Sequence, residues 1–257
     1  MSGDPAIDCG PILAPESLVR VTVNDEMALA WCCTPHALEE LASGWLVCEG
    51  AVRTRAEIEE LARIAPGEGY SAALAVRLTP EALGRLRKAV SGSRSLTIGP
   101  PTLAEPRGAR TTSCEAHVTE LETLLRDRHR VAAWFGQMFD RASIRSSVGG
   151  VHTGGLVVGG HLTRVVEDVS RHHVVDRLAG AGFGDGVDLV RSIFLLSSRI
   201  SGAMAAKASR ARVGALVSRS VPTELAAAVA GANGLILVGR ARRERPQYHW
   251  PRFGAAG

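Results

Sequence analysis

The sequence predicts an α/β fold, and three observations lead to that prediction. From residue 149 onward, apolar runs of strand length alternate with segments of helical periodicity, a pattern typical of a sheet with at least some parallel strands. Glycines mark the turns between these segments. Hydrophobic residues make up 46% of the 257 residues, which is enough for a substantial core in one large domain or two small ones.

The first predicted element is a strand pair. Residues 19–25 (VRVTVND) and 27–33 (MALAWCC) are both rich in apolar residues of strand length. Asn24 and Asp25 lie between them, and these residue types favour a tight turn.

Two Thr-Pro pairs indicate helix starts, because threonine suits the N-cap and proline suits the first helical position. The pair at Thr34 precedes leucines and alanines at helical spacing up to Gly50. The pair at Thr79 follows a predicted strand at 71–78 and opens a helix to residue 90. Residues 115–141 are predicted to form two helices separated near Asp127 and Arg128.

The last part of the chain supplies the alternating elements. Three subregions are expected: residues 1–113, a linking segment with a cysteine at 114–148, and an α/β subregion at 149–257. In order, the predicted elements of the last subregion are strands at 151–158 and 162–167, a helix from Arg171, a strand at 192–197, a helix at 202–210, a strand at 213–218, a helix from Pro222 and a strand at 235–239.

Charge is distributed unevenly along the chain. Residues 199–257 carry a net charge of +8, whereas the whole chain carries +4. This asymmetry favours an anionic partner for the C-terminal part, although a solvated basic face without a ligand gives the same pattern.

The N-terminal residues lack the features of an export signal, and glycines and Asn233 interrupt the apolar stretch at 225–239. We therefore expect a soluble, cytoplasmic protein with no membrane span.

Polar residues follow three predicted strands, at 167–168 (ED), 197–199 (SSR) and 218–220 (SRS). Open α/β sheets usually bind ligands at the carboxyl ends of their strands, so these groups are expected to share one crevice. Asp168 is predicted to cap the helix from Arg171, with His172 and Asp176 on the same helical face. The alternative is that these three residues only stabilise the helix.

Two further segments are candidates for ligand binding. The glycine-rich run at 149–155 (GGVHTGG) lets the backbone approach a ligand, with His152 projecting from it. The run at 239–245 (GRARRER) offers arginines that form charge-assisted hydrogen bonds to phosphate oxygens. A tight turn into a strand and a frayed basic tail are the respective alternatives.

The five cysteines have no CxxC or zinc-knuckle spacing, so reduced thiols and no zinc site are expected. Cys114 follows hydroxyl residues at a predicted helix start, where a thiol pKa is lowered and a reactive thiolate is favoured. Cys32, Cys33 and Cys48 lie in apolar runs and are predicted to be buried.

Nucleic-acid binding is not expected, because only 4% of the residues are aromatic.

Four ordered blocks together resemble the FdhD family, the accessory sulfurtransferases of molybdenum-dependent formate dehydrogenases. The blocks are residues 149–155, 167–177 (EDVSRHHVVDR), 216–226 (LVSRSVPTELA) and 239–245. The N-terminal half is similar to the same family at residues 19–31 and 34–50. The resemblance covers nearly the whole chain and is weakest between about residues 51 and 111.

The resemblance implies a cytidine-deaminase-like fold without zinc chemistry, a homodimer, and two protein partners, a cysteine desulfurase and a formate dehydrogenase. In that family a cysteine loop takes sulfur as a persulfide and passes it to the bis-guanine-dinucleotide molybdenum cofactor. It implies Cys114 as the sulfur-carrying residue. The residues that it implies for cofactor binding are Gly150, His152, Glu167, Asp168, Arg171, His172, Asp176, Ser198, Arg199, Ser218, Arg219, Arg242 and Arg245.

The sequence departs from the family pattern at the cysteine loop. The family reads C-G-x-C, whereas Cys114 is followed by Glu115, Ala116 and His117. One persulfide-bearing cysteine is sufficient for sulfur transfer, because sulfur is gained and lost through the same atom. Two functions therefore stay open: sulfur transfer through Cys114, and a cofactor carrier without covalent chemistry.

Overall fold

The computed structural model describes residues 12–91 and 112–249 and contains two mixed sheets surrounded by helices. The sequence prediction of an α/β fold is confirmed. The strands are β1 (Ser17–Val23), β2 (Met27–Cys33), β3 (Ile58–Ile64), β4 (Ala72–Leu78), β5 (His152–Val158), β6 (His161–Asp168), β7 (Ser192–Leu196), β8 (Ala215–Ser218), β9 (Ile236–Gly239) and β10 (Gln247–His249). The helices are α1 (Leu38–Cys48), α2 (Pro80–Ser91), α3 (Thr112–Arg126), α4 (Arg128–Asp140), α5 (Ser143–Ser147), α6 (Arg171–Gly184), α7 (Gly202–Arg210) and α8 (Glu224–Asn233).

The first sheet has the strand order β2-β1-β4-β3. The predicted strand pair is confirmed, because β1 and β2 are antiparallel and Val23 pairs with Met27. Asn24 and Asp25 form the turn with φ angles of 48° and 56°, a conformation that Asn and Asp tolerate better than most residues. The Asn24 side chain also exchanges two hydrogen bonds with the backbone of Leu78, at 3.0 and 2.9 Å, and so joins the turn to β4.

Helix α1 begins at Leu38, four residues after the predicted N-cap Thr34, so that part of the prediction is wrong. The reason is Arg177 on α6, whose guanidinium donates hydrogen bonds to the carbonyls of Thr34, His36 and Ala37. Residues 34–37 wrap around this cation instead of continuing the helix. The Thr79 start is as predicted, because the Thr79 hydroxyl accepts a bond from the Ala82 N–H.

The second sheet has the strand order β10-β9-β8-β7-β5-β6. Strands β7, β8 and β9 are parallel, and β5 runs antiparallel to both β6 and β7. Strands β6 to β9 therefore end at the same edge of the sheet, where β5 begins. We call this the ligand edge, and the edge where β7 and β8 begin the opposite edge.

Helices cover both faces of the second sheet. Residues of β7 point alternately to the two sides: Phe194 and Leu196 pack into the core beneath α6, α7 and α8, whereas Ile193 and Leu195 pack against α3 and α4. The two helices predicted within residues 115–141 are confirmed, with Asp127 as the N-cap of α4. No helix in residues 12–91 or 112–249 has the length and apolar character required to cross a membrane.

Helices α1 and α6 connect the two sheets through a close contact at two glycines. A Cβ atom on Gly44 would lie 1.7 Å from the carbonyl oxygen of Asp176, and one on Gly180 would lie 1.8 Å from that of Glu40. The helix backbones touch directly at this crossing, so neither position has room for a side chain. One hydrophobic core runs from the first sheet across this crossing into the second.

The first predicted subregion boundary, between residues 113 and 114, falls within helix α3. Helix α3 begins at Thr112, two residues before the predicted boundary at 114, and residues 92–111 lie outside the described part of the chain. The division into residues 1–113, 114–148 and 149–257 therefore stays a prediction.

Candidate anion-binding cavity

A cavity of about 1190 Å³ opens at the ligand edge of the second sheet. Its lining comes from the start of β5, the turns after β7 and β8, the loop after β9 and helix α5. The lining residues are Arg145, Gly150, Val151, His152, Ser197, Ser198, Arg219, Ser220, Val221, Arg240, Arg242, Arg243, Glu244 and Arg245. Two of the three predicted strand-end groups, 197–199 and 218–220, contribute residues to this one crevice, whereas Glu167 and Asp168 do not line it.

The cavity is strongly basic. Six arginines contribute to its lining, and within this described lining Glu244 is the single carboxylate. Arg219, Arg242 and Arg245 are among the predicted site residues. Arg240 and Arg243 belong to the arginine run at 239–245 that the sequence marks as a candidate for ligand binding, whereas no sequence pattern marks Arg145.

The loop after β9 is not the frayed tail that was the alternative interpretation. The Ala241 N–H donates to the Ser218 carbonyl at 2.9 Å, and the Arg240 N–H donates to the Ser220 carbonyl at 2.6 Å. Arg128 donates from α4 to the Glu244 carbonyl at 2.6 Å, and β10 pairs with β9. These bonds fix the backbone that carries four of the cavity's arginines.

Serines at the end of β8 and in the turn after β7 join the two turns that contribute to the cavity lining. The buried Ser218 hydroxyl donates to the Ser198 carbonyl at 2.5 Å and accepts from the Ser220 N–H at 2.8 Å. Ser198 lines the cavity, whereas Ser218 lies beneath the lining and holds the two turns together. Arg199 is exposed and lies outside the lining.

The glycine-rich segment at residues 149–155 forms another wall of the cavity. Gly149 and Gly150 have φ angles of 76° and 67°, values that favour glycine strongly. They lead into His152, which lines the cavity. Burial, followed by the charges of Arg171 and Arg145, lowers the pKa of His152 below its usual value. Its imidazole is therefore neutral at pH 7.

Arg171 and His172 lie near this wall but outside the described cavity lining. Burial, followed by the charge of Arg171, lowers the pKa of His172 to about 4. His172 is thus neutral at physiological pH. Direct ligand contact by either residue stays a prediction.

Glu167 is buried and binds the backbone of helix α5, which carries a residue of the cavity lining. Its carboxylate accepts hydrogen bonds from the N–H groups of Ile144 and Arg145, at 2.9 and 2.8 Å. These are backbone donors in the first turn of α5, so Glu167 holds the short helix that brings Arg145 to the cavity. The carboxylate itself lies outside the cavity lining.

Asp168 is the last residue of β6 and does not cap α6, contrary to the prediction. Its carboxylate accepts from Arg177 Nε at 2.8 Å and from the Ser170 N–H at 2.8 Å. Burial alone would raise the pKa of Asp168, but His173, Arg177 and the Ser170 N–H hold it below its usual value. Both members of the ion pair are fully buried, so Asp168 stabilises the fold.

Asp176 lies on α6 and is also fully buried. Both of its carboxylate oxygens accept from Lys207 Nζ, at 2.8 and 3.0 Å, and Lys207 also contacts Glu49 at 3.1 Å. This network joins the residue that follows α1 to helices α6 and α7. Asp176, like Asp168, lies outside the cavity lining. Asp168, His172 and Asp176 were expected on one face of a helix, but Asp168 precedes α6 and is not part of that face.

The described cysteines differ in reactivity. Burial, followed by the charge of Asp168, raises the pKa of Cys33 to about 12. Burial, followed by Asp176, raises the pKa of Cys48 well above its usual value. Both thiols are therefore protonated at pH 7 and are poor nucleophiles. Cys32 was predicted to be buried but is exposed, because it lies on the edge strand β2 with its side chain opposite to that of Cys33.

Cys114 lies in the first turn of α3, and its side chain is outside the described part of the chain. One turn later, His117 lines a groove together with Asp188, Val190 and Arg212 at the opposite edge of the second sheet. Strands rise by about 3.3 Å per residue, so this edge is on the order of 15 Å from the ligand edge. Within one chain, the start of α3 and the cavity are therefore separated by about the length of the strands of the second sheet.

No cluster of three or more metal-ligating residues is present in the described ranges. The expectation that the protein functions without zinc stays a prediction.

Comparison with known proteins gives a consistent result over nearly the whole chain. The model of the FdhD/NarQ family matches residues 14–250. A protein named sulfur carrier protein FdhD from Methanothermobacter thermautotrophicus is 30% identical over 235 residues, which cover 88% of this chain and 84% of the relative. A protein of the same name from Xanthomonas campestris is also 30% identical, over 90% of this chain and 81% of the relative.

A solved structure shares the fold. The crystal structure of a proposed formate dehydrogenase accessory protein from Desulfotalea psychrophila superimposes with a TM-score of 0.64 at 20% identity. It covers 91% of this chain and 86% of the other. The cytidine-deaminase-like classification stays a prediction. The family match and the relatives together show that the chain belongs to the FdhD/NarQ family.

Proposed function

We propose that this protein is a sulfur carrier for formate dehydrogenase maturation, which binds the bis-guanine-dinucleotide molybdenum cofactor as its substrate. The observation that carries the proposal is the cavity at the ligand edge, with six arginines and one carboxylate. The names of the relatives support the sulfur-carrier role, and the accessory protein from Desulfotalea psychrophila supports the link to formate dehydrogenase. A cysteine desulfurase is the proposed sulfur donor.

The chemistry of the cavity suits a nucleotide diphosphate. Guanidinium groups form charge-assisted, often bidentate, hydrogen bonds with phosphate oxygens. The cavity volume of about 1190 Å³ exceeds that of ordinary small-molecule pockets, so one guanine nucleotide half of the cofactor fits in it. The neutral His152 adds a hydrogen-bonding group to the wall without further positive charge.

Sulfur is proposed to reach this protein through Cys114. The Cys114 thiolate attacks the outer sulfur of the donor's persulfide, a new S–S bond forms at Cys114, and the donor cysteine leaves as a thiolate. Cys33 and Cys48 are poor candidates because their raised pKa values keep them protonated. A carrier that binds the cofactor without covalent chemistry is the second candidate, favoured by the separation between the start of α3 and the cavity.

The cofactor assignment predicts that GDP binds to the purified protein. Calorimetric titration is expected to show binding that weakens with increasing salt, because arginine–phosphate contacts are screened. Arg219→Ala should weaken binding by about 1–3 kcal/mol through the loss of a charged hydrogen bond.

Arg191→Ala is the matched control for this titration. Arg191 is an exposed arginine in an ion pair with Glu120, close to the start of β7 at the opposite edge, and its loss should leave GDP affinity unchanged. Absence of GDP binding at millimolar ligand would contradict the cofactor assignment. Equal weakening by both substitutions would show only a non-specific charge effect.

A further inference from the structure

One aromatic ring lies behind the cavity and contacts two of its arginines. The guanidinium carbon of Arg145 is 5.1 Å from the centroid of the Phe139 ring, and that of Arg219 is 5.7 Å from it. Both distances are within the range of a cation–π interaction. Phe139 is on α4 and is absent from the cavity lining, whereas both arginines belong to it.

The two arginines arrive from separate elements. Arg145 is on α5, whose first turn is fixed by the Glu167 carboxylate, and Arg219 is in the turn after β8. Their backbones are therefore held independently. The long side chains remain free to rotate in solvent unless something restrains them, and restraint of a flexible cation before binding reduces the entropic cost of binding an anion.

The Phe139 ring is itself held in place. It stacks on Phe135, with ring centroids 6.3 Å apart and an interplanar angle of 30°. Phe135 is fully buried between α4 and the second sheet. The ring thus connects the buried core to the guanidinium groups of Arg145 and Arg219.

We propose that Phe139 is a positioning residue that aims the guanidinium groups of Arg145 and Arg219 at one anionic ligand. The inference rests on the proposed function, because the ligand is the diphosphate group of a guanine nucleotide. Phe139 acts through the two arginines and does not touch the ligand.

The first test needs no ligand. A cation over an aromatic face lies in the ring current, so the Nε–Hε signals of Arg145 and Arg219 in NMR spectra are expected to be displaced upfield. In Phe139→Leu, which keeps an apolar side chain at this position, both signals should return to ordinary values. Signals that do not change in Phe139→Leu would overturn the proposal, whether or not GDP binds.

The second test is a GDP titration of matched variants. Phe139→Leu is expected to weaken binding about three- to tenfold, and Phe139→Tyr, which keeps the ring, should bind like the wild type. In an Arg145→Ala/Arg219→Ala background, Phe139→Leu should cause no additional loss. An additional loss of the same size in that background would overturn the positioning role.

A core substitution separates positioning from a general structural effect. Phe183→Leu is expected to leave GDP affinity unchanged, since Phe183 packs against the other core and lines the groove at the opposite edge of the second sheet. Weakening of GDP binding by Phe183→Leu as large as that by Phe139→Leu would overturn the proposal. If the wild type does not bind GDP, the cofactor assignment fails, and the NMR result alone decides the role of Phe139.

Discussion

Replacing Arg177 by methionine is expected to lower the free energy of unfolding by about 3–5 kcal/mol. Arg177 is fully buried, and its guanidinium donates to Asp168 and to the carbonyls of Thr34, His36 and Ala37. Methionine fills similar space but leaves the Asp168 carboxylate and three carbonyls without this donor. Urea unfolding at pH 7 measures the loss.

An exposed ion pair provides the control for Arg177. Arg191 contacts Glu120 at 2.6 Å, and about half of each side chain remains exposed, at 50% and 45%. Arg191→Met should therefore cost no more than about 1 kcal/mol. A cost below about 1 kcal/mol for Arg177→Met would contradict the role assigned to the buried pair.

The buried ion pair between Asp168 and Arg177 makes stability depend on pH in a defined direction. The pKa of Asp168 is lower in the folded protein than its usual value. Its contribution to stability is therefore fully present above the ordinary carboxyl pKa and is lost as the pH falls through the lower folded-state pKa. In Arg177→Met this contribution should be reduced, and unfolding below about pH 4 should depend less steeply on pH.

Replacing Gly44 by alanine is expected to destabilise the protein by about 3 kcal/mol or more. The added methyl group would lie 1.7 Å from the Asp176 carbonyl oxygen and 2.5 Å from the Gly180 nitrogen. Both are backbone atoms of α6, so the helices must separate to relieve the overlap. Because this crossing joins the cores of the two sheets, thermal and urea unfolding should both detect the change.

Gly136→Ala is the matched control for the helix crossing. Gly136 lies within α4, and a Cβ atom there would have nothing within 4 Å. Alanine is the better helix former, so this variant should be stabilised by about 0.5–1 kcal/mol. Similar destabilisation by both substitutions would show that the close approach of α1 and α6 is not the cause.

Local patterns in the sequence were sufficient where local contacts determine the structure. Asn24 and Asp25 formed the expected turn because their own backbone preferences suit it. Helix α7 occupies the predicted residues, Gly202–Arg210. The strand-end serines and arginines were found because parallel strands bring their carboxyl ends together.

Other features depend on residues that are distant in the sequence. Strand β3 (IEELARI) contains good helix formers and was not predicted; its pairing with β4 overrides that propensity. The start of α1 is displaced by Arg177, which is 140 residues from Ala37. Arg145 carries no motif, and it becomes a cavity residue only because Glu167 and Phe139 place it there.

Loading of Cys114 with sulfur tests most directly whether the protein carries sulfur. Incubation with a cysteine desulfurase and cysteine, followed by peptide mass spectrometry, is expected to add one sulfur atom to the Cys114 peptide. Cys114→Ser should accept none and should still bind GDP, since a serine oxygen cannot form a persulfide. Cys32→Ser, which removes the exposed cysteine of β2, should be loaded like the wild type. Undiminished loading of Cys114→Ser, or its full support of formate dehydrogenase activity in a deletion strain, would contradict sulfur transfer through this residue.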